Sequence, residues 1–146
     1  MKETIKKLGL TEGFSEMIKL SKKIPKSGEV LPDNALILHV LFWQMKTKLS
    51  DMVIKAERHE LNIKQKRNNL DVDIQSESEE KSEAAKQRVS KADKGWRKLQ
   101  DERLDAKVLT QYLKMKRDDF EQAVYVMRTV MMYGKKDKES MPENEL

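Results

Sequence analysis

The chain has 146 residues, with 30 basic against 25 acidic side chains, a net charge of +5 and only 5% aromatics. Charged residues reach 38% and mean hydropathy is −0.79, which excludes a membrane-embedded chain and points to helices around a thin core rather than a thick-cored globule. Cysteine is absent, which excludes disulfide and thiolate chemistry.

Residues 1–31 read as a short amphipathic helix and its following loop. Ile5, Leu8, Phe14, Met17, Ile18 and Ile24 form a weak stripe. Pro25, Gly28 and Pro32 then interrupt any helix. "MKETIKKLGL" has no apolar segment of secretory type, so a cytoplasmic location is expected, the host cytoplasm if the chain is phage-encoded. The longest apolar run, Ala35 to Trp43, is interrupted by His39 and falls well short of the ~20 residues of a membrane span, so no membrane association is expected.

Asp33 or Asn34 caps the next helix. Leu38, Phe42, Met45, Leu49, Met52, Ala56, His59, Ile63, Lys66 and Leu70 then follow at alternating steps of four and three. That is a heptad seam, and Lys66 is its one charged member. The acidic segment from Asp71 to Glu83, six acids against one base, is the expected hairpin turn, centred on 71–81. A second seam runs through Ala85, Val89, Ala92, Trp96, Leu99, Arg103, Ala106, Thr110, Leu113, Arg117, Phe120, Val124, Met127 and Met131. Leu104, Val108, Leu109 and Tyr112 widen its apolar face, while Arg103, Thr110 and Arg117 degrade its middle. Gly134 is expected to end the helix, leaving 135–146 as a disordered tail.

The pattern predicts an all-α fold: a long antiparallel, coiled-coil-like helical hairpin with a short N-terminal helix. Its arms span about 34–70 and 82–133. The second arm outruns the first and the short N-terminal helix can cover only part of the excess, so Phe120, Val124, Met127, Val130 and Met131 are expected to seek a partner. The simplest partner is another copy of the chain, making a homo-oligomer through the C-terminal helix.

No catalytic constellation is present. His39 lies in an apolar run and His59 on the seam, where packing is the ordinary role. "HE" at 59–60 lacks the second histidine of a zinc-peptidase motif. No phosphate-binding glycine loop or nucleophile elbow occurs. A non-enzyme without metal or cofactor is expected. The charge is more informative. Residues 46–70 carry seven bases against three acids, and 84–133 carry twelve against seven. Closing the hairpin brings Lys64, Lys66 and Arg67 towards Arg88, Lys91 and Arg97, a cationic surface suited to phosphates. Trp96 sits beside these cations, but between Ala92 and Leu99 on the seam, where packing outweighs stacking on a base. The plainer alternative is that these cations only solvate helix faces.

The order of features resembles the UvsY-type recombination mediators of tailed phages. It runs from "NALILHVLFW" through "IKAERHELNIKQKRNNL" and "SEEKSE" to "SKADKGWRKL", "LTQYL" and "FEQAV", covering about residues 34–132. In that family a Lys-Ala-Arg-Leu-Asp-Tyr segment ending the first long helix is implicated in single-stranded DNA binding. The matching stretch is "KQKRNN": Arg67 falls on the arginine, Lys64 or Lys66 replaces the lysine, Asn69 stands for the acid, and no tyrosine follows. The resemblance implies a ring-like homo-oligomer that binds single-stranded DNA, remodels its single-strand-binding-protein coat and helps load a RecA-like recombinase. The competing expectation is a structural or adaptor coiled coil, such as a phage morphogenesis factor or scaffold, with no nucleic-acid role. A third is a small chaperone or inhibitor presenting an apolar helix to a protein groove.

Overall fold

Phe42, Met45, Leu49, Met52 and Ala56 recur every three or four residues, and all five are buried along one side of a single helix. The computed structural model describes residues 1–25, 30 and 32–140. Five helices occur among them and no strand: α1 (Lys2–Lys7), α2 (Thr11–Ser21), α3 (Pro32–Glu77), α4 (Glu83–Ala92) and α5 (Lys94–Ser140). The long helices α3 and α5 pack against each other, which makes the fold an all-α helical hairpin. No helix among the described residues is long and apolar enough to cross a membrane.

The chain forms two compact units, and α3 and α5 each contribute to both. One comprises Gly9–Met52 and Leu113–Leu146. Its core joins Met17 and Leu20 of α2, Phe42, Met45 and Leu49 of α3, and Leu113, Phe120 and Met127 of α5, all buried. The rings of Phe42 and Phe120 meet at 5.8 Å between centroids, tilted by 60°, within the separation at which aromatic pairs attract. Salt bridges rim this core, Lys46 with Glu121 at 3.2 Å and Lys48 with Glu16. His39 Nε2 accepts a hydrogen bond from Arg128 Nε at 3.1 Å.

The other unit comprises Met1–Leu8 and Val53–Tyr112. Its buried apolar set is smaller: Val53, Ala56, Ile63, Ala106 and Leu109. Here α1 lies against α3 and α5 around a cleft of about 520 Å³, lined by Lys2, Glu3, Lys7, His59, Ile63, Glu102 and Asp105 among others. After α1 the chain turns at Gly9, whose φ of +69° is a conformation that favours glycine over any side chain.

Several element boundaries differ from those expected. The N-terminal region holds two helices, not one. The acidic stretch 71–77 is helical, and only 78–82 form the turn. Its glutamates and glutamines are good helix formers, and Gln75 Nε2 donates to Asp71 Oδ1 at 3.3 Å one turn away. The backbone of α5 continues past Gly134 to Ser140, where a disordered tail was expected; residues 141–146 of that tail lie outside the described residues. A single glycine without a following proline costs only about 1 kcal/mol, too little to stop a long helix. The return arm is broken at Asp93, whose Oδ1 accepts the Trp96 N–H at 3.0 Å and so starts α5. Ser82 caps α4 in the same way, accepting the Ala85 N–H at 3.1 Å. Because α4 is a separate helix, the second seam loses its phase there: Ser90 is buried, while Val89 and Ala92 are exposed.

Most of the residues expected to join copies lie inside the fold. Phe120, Val124 and Met127 are buried within their own unit, and Val130 and Met131 are half-buried. Phe42 of α3 meets the ring of Phe120, and Ser21 of α2 lines a cleft with Ala123 and Met127. The exposed apolar side chains of the same stretch are Tyr125, Val126, Met132 and Tyr133. On α3, Leu36, Val40 and Trp43 share an exposed face turned away from Phe42, Met45 and Leu49.

Candidate nucleic-acid interface

The α3 seam changes step where the basic segment begins. His59, Ile63, Arg67, Leu70 and Ile74 face inward, a four-four-three-four spacing that interrupts the heptad. Arg67 therefore takes the seam position expected for Lys66, and Lys66 is exposed. At 3.6 residues per turn, Lys64 sits roughly 60° to one side of Arg67 and Lys66 roughly 100° to the other. Three cations thus straddle the seam, with the middle one half-buried.

Arg67 makes no ion pair with a carboxylate among the described residues. Its guanidinium carbon lies 5.8 Å from the centroid of the Trp96 ring, within range of a cation–π interaction. Its Nη1 donates to Gln100 Oε1 at 2.5 Å and its Nη2 to Asn68 Oδ1 at 3.1 Å. Burial holds its pKa below the ordinary arginine value, and the charge of neighbouring Arg103 pushes the same way, with Asp71 opposing. The guanidinium remains charged at any accessible pH. Arg103 itself has a buried Nε with no hydrogen-bond partner. Two like charges, one with an unmet donor, sit close together, and Asp71 offsets the effect of Arg103 on Arg67 only in part.

The remaining expected residues are placed less favourably. Ser90 Oγ donates to Asp71 O at 3.4 Å, and a Cβ on Gly95 would lie 3.4 Å from Leu70 Cδ2. This register sets α4 alongside the acidic end of α3, so Arg88 and Lys91, both exposed, neighbour Asp71 to Glu77 rather than Arg67. Arg67 stands level with Trp96 and Gln100 instead. Arg97 is exposed and bends back, its Nε donating to Lys91 O at 2.9 Å. The structure therefore brings Arg67, Trp96, Gln100 and Arg103 together, flanks them with Lys64 and Lys66, and leaves Arg88 outside the group. Arg103 and Gln100 were not singled out from the sequence. The available signal was an arginine on a seam otherwise filled by Trp96, Leu99 and Ala106, which reads as degraded packing.

Among the described residues no group of three or more histidines and carboxylates could hold a metal. The cleft beside α1 gathers His59, Glu102, Asp105, Glu3 and Lys7. The pKa of His59 is lowered, by burial first and by Lys7 and Lys66 next, with Glu102 opposing. Comparison with known proteins finds no matching family model, no matching curated protein and no matching solved structure.

Proposed function

We propose that this chain binds single-stranded DNA as a homo-oligomer and acts as a recombination mediator. In this role it loosens a single-strand-binding-protein coat and helps load a RecA-like recombinase. The observation that carries the reading is the Arg67–Arg103 pair: Arg67, flanked by Lys64 and Lys66, lies over the Trp96 ring with no carboxylate ion pair among the described residues, and Arg103, which repels it, has a buried Nε without a partner. An orphaned donor and like-charge repulsion are costs that a bound phosphate removes, and guanidinium groups bind phosphate in a two-pronged fashion. The resemblance of "KQKRNN" to the basic segment of the mediator family supports the same site.

One such patch is weak. Several patches on one strand act through effective concentration, so modest contacts give tight binding and can bend the strand away from its coat. The exposed apolar side chains Leu36, Val40, Tyr125 and Met132 offer a surface for joining copies. That surface also favours a second reading, a structural or adaptor coiled coil whose partner is protein alone. Replacing Lys64, Lys66 and Arg67 together by alanine separates the two. The mediator reading expects binding to an oligonucleotide, followed by anisotropy, to weaken. The slope of log affinity against log salt should flatten by about 2, since each lost phosphate contact contributes ~0.7 for single strands. Unchanged affinity and slope favour the structural reading.

A further inference from the structure

We propose that Trp96, Arg67 and Arg103 form a notch for one unstacked nucleotide, which makes the site selective for single strands over duplex. The inference rests on the single-stranded DNA reading and adds what the site recognises. Trp96 opens α5: Asp93 breaks the return arm and caps its amide, so the indole is half-buried at a helix start. One face of the ring is covered by the Arg67 guanidinium rather than by an aliphatic side chain. That cover is removable. It is held by Gln100 and Asn68, both neutral, and by no carboxylate. Arg103 repels it, and the Arg103 Nε lacks a partner.

An incoming strand relieves the repulsion between Arg67 and Arg103. Arg67 leaves the ring for a phosphate oxygen, and the same phosphate screens Arg67 from Arg103. A base takes the vacated ring face, replacing a cation–π contact by stacking. Any base can do so, because each has a π-face, and the site needs no sequence preference. A duplex offers the phosphates but keeps its bases stacked, so it engages the arginines alone.

The test uses the full chain and three ligands of equal length: an oligothymidine, a strand of abasic residues, and a duplex. The abasic strand retains every phosphate and removes every base. The notch predicts that oligothymidine binds about tenfold more tightly than either of the others, the scale of one aromatic–base stack. Trp96→Leu should erase that difference while leaving the salt slope unchanged, and Trp96→Phe should keep most of it. Equal affinity of the parent chain for oligothymidine and the abasic strand overturns the notch but leaves salt-dependent phosphate binding standing. Failure to bind any of the three at low salt overturns the notch together with the reading it rests on.

Discussion

Arg103 is the residue whose chemistry is hardest to explain by folding alone. A buried donor without a partner costs about 1–3 kcal/mol, and Arg103 adds repulsion against Arg67. Groups that weaken the fold while readying a site behave in a recognisable way when replaced. Arg103→Met keeps the aliphatic stem and removes the charge. It should raise the melting temperature, by about 1 kcal/mol of stability, and weaken oligonucleotide binding. A drop in both would mean that Arg103 is structural. His59 gives a pH dependence whose sign follows from its lowered pKa. The folded chain favours the neutral imidazole, so its contribution is intact above the unfolded value of 6.5. As pH falls below that value the unfolded chain takes up the proton first and stability declines. Thermal melts between pH 8 and 5.5 should show a steeper loss for the parent than for His59→Gln. Matching losses would place the acid sensitivity elsewhere.

At the scale of helices, spacing carried most of the information. Phe42 to Ile63 and Trp96 to Met127 follow the seams read from the sequence, because a buried stripe must recur every three or four residues. Boundaries were less legible because they depend on contacts that spacing does not encode. Asp93 ends one helix and starts another through a single side-chain cap, and "SKADKGW" looks like continuous helix until that cap is seen. The change of step at Arg67 is similar. Both Lys66 and Arg67 are basic, and only packing against Trp96 and Gln100 decides which faces inward. The candidate site was therefore half readable. The cations were visible as charge counts, whereas Arg103, and the pairing of Arg67 with an aromatic rather than with Arg88, required the register of the antiparallel arms.

At the scale of the whole molecule, the proposed polyanionic partner has to be held by a modest charge of +5. The cations that count are few, and acids flank them: Asp71 opposes Arg67 directly. On the proposed reading, affinity comes from repetition, with several copies engaging one strand. Phe120, Val124 and Met127, expected to join copies, are buried inside the fold, where alanine at Phe120 or Met127 would cost about 2–5 kcal/mol as a core change. In the proposed oligomer, joining falls to exposed side chains such as Leu36, Tyr125 and Met132. Light scattering on the full chain, with and without a single-stranded oligonucleotide, tests this most directly. The account predicts a mass several times 17.1 kDa in both cases, with the oligonucleotide eluting in the same peak. A single 17.1 kDa species that leaves the oligonucleotide free would contradict it.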